Sequence, residues 1–240
     1  MKNVLWVMVT VAVLALLVKL GWWQLQRASE KQQLQLQYQQ RANETIQWPL
    51  PPQQDWRGYR LETAGKWLSE RSLLLDNQVF QGRVGYRWLV PLQMSPTEPW
   101  LLVDLGFVVA PTQRDELPTL PPLPNASVVV GRLLQPQPNR MSDQLWPEVG
   151  VATRVQALNW QQLEAHFQHS VVAGLLWLEQ PQQLGFVRPW QPINMAPEKH
   201  QAYAAQWFGL ALAWLITVAL LWRKTANGKE GMANASLIGE

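Results

Sequence analysis

Between Ala202 and Trp222 the chain carries 21 consecutive residues without a charge, about the length a helix needs to cross the hydrocarbon core of a bilayer. A second uncharged run, Asn3 to Val18, lies at the other end and leads into Gly21-Trp22-Trp23-Gln24-Leu25-Gln26-Arg27. Lys19 can extend its amine toward the headgroups, and Trp22 and Trp23 suit the interface belt. The expectation is two membrane helices, residues 1–23 and 200–223, bracketing one extramembrane domain, 24–199, with a cytoplasmic tail, 224–240. A cleaved signal peptide is the competing reading of the first run, because Lys2 plus an apolar stretch resembles an n-region and h-region. No small-x-small cleavage site follows; the chain runs into Lys19, Leu20 and two tryptophans, which favours an uncleaved anchor.

About 175 residues remain between the spans, enough for one domain with a real core. The mean hydropathy of -0.15 would pass for a soluble protein, because the apolar ends are averaged against a middle rich in Gln and Pro. The formal charge is +3 and the basic residues form no run, so nucleic acid is not an expected partner. With no cysteine the chain has no disulfide, thiolate zinc site, c-type haem attachment or paired-thiol copper site. Of 15 tryptophans, Trp6, Trp22, Trp23, Trp207, Trp214 and Trp222 belong to the spans or their borders. Arg223, Lys224 and Lys229, with Lys2, place both termini in the cytoplasm and the domain in the periplasm. Arg27, Lys31 and Arg41 argue the other way but flank a segment longer than the roughly 60 residues over which the charge rule operates.

From Gln24 to Asn43 the chain has good helix formers and no Gly or Pro, so the first helix is expected to run on past the membrane until Pro49, Pro51 and Pro52. Trp23, Arg27 and Lys31 share one face of it at i, i+4, i+8 spacing. The stripe suits lipid phosphate, solvent or a docking partner. Period-two segments follow: Tyr59 to Thr63, Gly65 to Leu68, and Ser72 to Leu75 before a turn-like Asp76-Asn77. Val84 to Val90, Trp100 to Val109, Ser127 to Leu134 (stopped by Pro136 and Pro138), Val171 to Leu178 and Gly185 to Arg188 read the same way. The proline-rich stretch 111–126 reads as a connector. Asn159 to Gln168 is the one good soluble helix, with Asn159 as N-cap and Gln162 at the capping-box position. Six or seven strands with one or two helices predict an α+β domain whose mainly antiparallel sheet can close into a barrel.

Signals of catalysis are poor, with no GxSxG, P-loop, dinucleotide fingerprint or HExxH. His166 and His169 sit i, i+3 on the soluble helix, but two ligands are too few for a metal without a third. His200 differs by its place at the membrane boundary. A neutral imidazole there can ligate haem iron, donate a hydrogen bond or change charge, and Tyr203 and Trp207 on the same helix can pack on a flat macrocycle. The plainer reading is that His200 caps or hydrogen-bonds at the helix start. His200, Tyr203, Ala204, Trp207 and Ala211 form one face, whose polar beginning calls for a partner at the other end of the chain.

Two end signatures, Gly21-x-Trp23-Gln24-x-x-Arg27-x-x-x-Lys31 and His200-x-x-Tyr203-Ala204-x-x-Trp207-Phe208, resemble those of the surfeit-locus (Shy) family of cytochrome c oxidase biogenesis proteins. Gly65-x-Trp67-Leu68, Gly82-x-x-Gly85-Tyr86, Pro91-Leu92 and Val130-Gly131-Arg132-Leu133 follow in the family's order. Departures are Leu105 and Phe107, where the family pattern has Arg and Trp, and Glu30, where an aromatic is common; the chain reads as a divergent bacterial member. The resemblance implies a non-enzymatic, two-pass assembly factor in the bacterial inner membrane. It would act on the cytochrome c oxidase catalytic subunit, with haem a biosynthesis enzymes and membrane lipid as further partners. Haem a would be held transiently, and His200 matches the family's candidate ligand, with Tyr203 and Trp207 beside it; Met195 is a weaker candidate. Trp23, Gln24, Arg27 and Lys31 would be partner-binding. The alternative is a scaffold that binds the nascent subunit without haem. An envelope enzyme built on His166 and His169 has no motif behind it.

Overall fold

A computed structural model of the chain describes residues 2–51, 55–113, 116–136, 144–148, 152–190, 192–193 and 195–237, with side chains from 4 to 224 within them. Pro52 and Pro138, expected as stops, lie outside the described residues, as do the side chains of Lys2 and Lys229. Two compact units result, one of residues 1–35 with 193–240, the other of 36–192.

The first unit is a pair of long helices. α1 (Lys2–Gln40) keeps its helix through Gly21 and on through the Gln-rich stretch, as strong helix formers without proline allow. α3 (Pro197–Leu237) starts with proline, whose missing N–H costs nothing at a first position, and with Glu198 at the positive end of the helix dipole. Both are long and apolar enough to cross a membrane. Their least exposed positions include Leu14, Leu17, Gly21, Gln24, Ala28 and Lys31 on α1, and His200, Ala204, Trp207, Ala211, Trp214 and Val218 on α3. Steps alternating between three and four residues mark a coiled-coil seam. Away from it Trp6, Leu16, Leu212 and Trp222 are exposed, a surface suited to lipid.

The second unit is an eight-stranded sheet in the order β1-β2-β6-β8-β5-β4-β3-β7. The strands are β1 (Thr45–Ile46), β2 (Arg60–Trp67), β3 (Leu73–Phe80), β4 (Arg83–Gln93), β5 (Trp100–Val109), β6 (Ala126–Leu134), β7 (Thr153–Val155) and β8 (Val171–Gln180). A further pairing of β2 with β4, Lys66 to Gln93 and Trp67 to Leu92, closes five of them into a ring. Around the ring the order is β2-β4-β5-β8-β6, antiparallel except for β5 beside β8. The ring makes this part of the sheet barrel-like. The expected α+β, mainly antiparallel architecture is therefore what the chain adopts.

Alternation along the strands sorts side chains into two cores. Leu101, Val103 and Leu105 of β5, Trp88 and Val90 of β4, and Leu176 and Leu178 of β8 fill the inner one. Trp100, Leu102, Leu89 and Leu175 face the other way, where Leu163 and Phe167 of α2 (Trp160–Phe167) cover them. β5 is buried on both faces, which is why it reads as an unbroken apolar run. Leu105 and Phe107, two of the three departures from the family pattern, are buried here; Phe107 packs against Phe80 with ring centroids 5.7 Å apart.

Several expectations need correction. Residues 60–67 form one strand, not the ends of two. Asp76-Asn77 is a bulge inside β3, with Asn77 at φ 58, and the chain reverses at Gln81-Gly82. Local chemistry tolerant of a left-handed residue serves a bulge as well as a turn. Gly185 to Arg188 is not a strand, although Phe186 N–H donates to Leu105 O (2.7 Å) and Phe107 N–H to Val187 O (2.9 Å). Those two bonds flank Gly106 at φ 109, where a Cβ would lie 2.6 Å from Phe186 O. The capping box is half made. Asn159 Oδ1 accepts from Gln162 N at 3.1 Å, but the Gln162 side chain turns to Leu145 N (2.8 Å) and Gln144.

Candidate functional site

His200 occupies the first turn of α3 and is only 7% exposed, one of four buried polar or charged residues among those described. Its Nδ1 lies 2.8 Å from Gln24 Oε1, across 176 residues of chain. Its other ring nitrogen, Nε2, is buried and meets no hydrogen-bond partner among the described residues. One turn below Gln24, Gly21 faces the Phe208 ring so closely that a Cβ would lie 2.7 Å from it. Ala28, Ala204 and Ala211 are buried along the same seam. Small residues let the backbones approach, and the approach brings Gln24 within reach of His200.

Of the residues singled out by sequence, His200, Gln24 and Trp207 fall on the seam, and Lys31 is half-buried at its continuation. Trp23 and Tyr203 do not, being 47% and 43% exposed. Arg27 is also outside the seam; it pairs with Glu30 at 2.8 Å, and its guanidinium sits 5.7 Å from the Trp23 ring centroid. Met195 is half-buried just before α3. Ala211, expected on the partner-seeking face of α3, does lie on the seam, whereas Gly21, Ala28 and Phe208 were missed as packing residues. Their signal was available: Gly21 and Ala28, like Ala204 and Ala211, are seven apart, two turns along one face.

Elsewhere the barrel unit offers less. His169 stacks on Trp100 (4.3 Å, 10°) and His166 tilts against Phe167; among the described residues no three His, Asp or Glu converge as metal ligands. An open pocket of about 830 Å³ is bordered by Trp177, Glu179, Gln182, Gly185 and Arg188. Burial pushes the Arg188 guanidinium below its ordinary value, yet arginine stays charged. Its donors go to carbonyls of the protein itself: Nε to Leu178 O (2.8 Å), Nη1 to Phe186 O (3.1 Å) and Leu184 O, Nη2 to Gln182 O (3.1 Å). Arg188 stitches a loop rather than awaiting an anion. Arg87 engages the buried Asp104, whose Oδ1 also accepts from Gly106 N at 2.9 Å. Asp55 is held at a pKa of about 2, first by its hydrogen bond from the Arg57 side chain and further by Arg41.

Arg60 Nε and the indole nitrogens of Trp88, Trp100, Trp177 and Trp214 are also buried without a partner among the described residues, but these can only donate; His200 Nε2 is the nitrogen of that group that can also accept or bind a metal. No curated protein matches the chain. Residues 11–212 match the SURF1 family, a span that includes both Gln24 and His200. With most of its length matched, the chain belongs to the SURF1 family, which is associated with cytochrome oxidase assembly and is generally non-enzymatic.

Proposed function

We propose that the chain is a two-pass assembly factor of the bacterial inner membrane that helps haem a reach the catalytic subunit of a haem-copper oxidase, and that His200 would be the residue that holds the haem transiently. The observation that carries this reading is the buried Nε2 of His200, without a partner among the described residues, on a helix long and apolar enough to cross a membrane. The donor chemistry fits: a neutral imidazole is a standard haem ligand, and the chain has no cysteine to compete. Haem a, when bound, supplies an iron that accepts such a nitrogen. A histidine with a weak or incomplete second ligand would hold haem loosely enough to release it to a site offering two better-placed imidazoles. Because Nε2 is covered, ligation requires the seam or its cover to shift, which suits brief holding. The barrel domain lies in the periplasm and both termini in the cytoplasm.

Purification in mild detergent followed by an absorption spectrum tests the reading. Wild-type protein from cells making haem a should carry a haem band that His200→Ala lacks, and His166→Ala should retain it. Equal haem in wild type and His200→Ala would sink the ligand assignment. Reporter fusions at Glu240 and near Asn125 should report opposite sides of the membrane; agreement would overturn the two-span topology. The scaffold reading has its own observation in the outward-facing Trp23 and Arg27. It is preferred if the protein copurifies with the oxidase subunit, free of haem, and Arg27→Ala abolishes that association.

A further inference from the structure

We infer that Gln24 is a positioning residue: its side-chain oxygen keeps the imidazole proton of His200 on Nδ1 and so leaves a lone pair on Nε2, the nitrogen offered to iron in the function proposed above. The first half of this statement is independent of haem; the second rests on that reading. A neutral imidazole has one donor and one acceptor nitrogen, and an amide oxygen can only accept. With Oε1 of Gln24 2.8 Å from Nδ1, the proton between them belongs to Nδ1. Turning the amide over would present its NH2 instead and move the ring proton to Nε2. That proton would then be one more buried donor without an acceptor among the described residues, beside Arg60 Nε and the indole nitrogens of Trp88, Trp100, Trp177 and Trp214; the orientation with Oε1 on Nδ1 leaves an acceptor unfilled instead, the less costly vacancy.

The pair also differs from ordinary polar glue between membrane helices. Glue is complete when donor and acceptor meet; here the bond satisfies one ring nitrogen and leaves the other without a partner among the described residues. Metal-bound histidines commonly donate their second ring N–H to an oxygen, which sets the ring's tautomer and orientation and raises its basicity. Gln24 supplies that oxygen in advance. The two residues lie at opposite ends of the sequence, so the ligand nitrogen is prepared only once both helices have paired. The close fit of Gly21 on Phe208 sets the spacing that allows it.

The test uses the full chain in lipid nanodiscs, carrying His166→Gln and His169→Gln so that one histidine remains, with 15N-labelled imidazole and no haem. Wild-type Gln24 should give a protonated-type signal for Nδ1 and an unprotonated-type signal for Nε2. Gln24→Glu, which still accepts, should keep that pattern; Gln24→Leu should move the proton toward Nε2. In a parallel titration with ferric protoporphyrin IX, Gln24→Leu should bind about 10–100-fold more weakly than Gln24→Glu. A proton on Nε2 in the wild type overturns the inference, as does a Gln24→Leu spectrum equal to wild type. If Gln24→Leu fails to assemble, the wild-type and Gln24→Glu spectra decide alone. Undiminished porphyrin binding by His200→Ala would instead sink the haem reading and leave the tautomer assignment standing.

Discussion

β5 and α3 are both strongly apolar, yet they are buried in opposite ways. Every residue of β5 from Trp100 to Val108 is shut away, Leu101, Val103 and Leu105 in the barrel interior and Trp100 and Leu102 in the cluster that α2 covers. On α3, from His200 to Lys224, only His200, Ala204 and Ala211 are buried. In the barrel, water is excluded by protein, so large side chains carry the stability and each face of a strand needs its own cover. In the helix pair, lipid can cover the large side chains, and association rests on close packing of small ones plus a hydrogen bond. The comparison assigns different jobs to residues of equal hydrophobicity: Leu102 is core, Leu212 is exposed on a helix long and apolar enough to cross a membrane.

The comparison breaks first, and hardest, at the barrel core. Trp88 is 2% exposed and meets Phe186 edge-on at 6.0 Å. Trp88→Ala should cost about 3–5 kcal/mol, seen as a large fall in the denaturant midpoint of the detergent-solubilised protein. Trp222→Ala, removing a side chain of equal size that is 66% exposed, should leave that midpoint nearly unchanged. Equal losses from both would show that the α3 exterior is packed by protein after all.

The next largest effect belongs to the seam. Gly21→Leu drives a side chain into Phe208 and should cost about 1–3 kcal/mol by overpacking. Adding Phe208→Ala should recover much of that loss, because the two residues touch and their effects are not additive. A double variant as unstable as the sum of the single ones would place the close approach elsewhere.

What could be read from sequence divides along the same line. The two long apolar helices were legible because a long uncharged run has few other uses, and β5 and β8 because both faces of those strands are apolar. His200 stood out by position. Its bond to Gln24 did not, since no local pattern links residues 176 apart; the clue was the seven-residue spacing of small residues on both helices. Ring closure was expected only as an option, and it depends on two residue pairs between β2 and β4. β1 and β7, two and three residues long, pair in parallel with strands already formed, so tertiary contact creates them. Asp76-Asn77 misled because its chemistry suits a bulge and a turn alike.

His200→Ala comes third in stability and first in function. Losing a hydrogen bond between helices in a membrane costs about 0.6 kcal/mol on average and up to about 1.7. The folded fraction should therefore hardly change while bound haem and active oxidase fall. A loss of stability near that of Trp88→Ala would mean His200 is structural. The seam would then be a second core, and the distinction between the two units would fail.

The smallest expected effect lies at the surface of the barrel unit, where acid should be felt. Asp55 accepts from Arg57 Nε and Nη2 at 2.8 and 2.9 Å and pairs with Arg41 Nη1 at 3.1 Å. These bonds favour the carboxylate, so its pKa falls from the usual 3.8 to about 2. A depressed native pKa means the unfolded chain binds the proton more readily. The contribution is therefore complete above about pH 4, declines as pH falls toward 2, and is gone below it. Because Asp55 is a third exposed, solvent screening limits the contribution to about 0.2–1 kcal/mol. Between pH 5 and pH 2.5 the wild type should lose slightly more stability than Asp55→Asn, and the two curves should converge in acid. Parallel curves would show that Asp55 titrates normally and that Arg41 and Arg57 do not hold it.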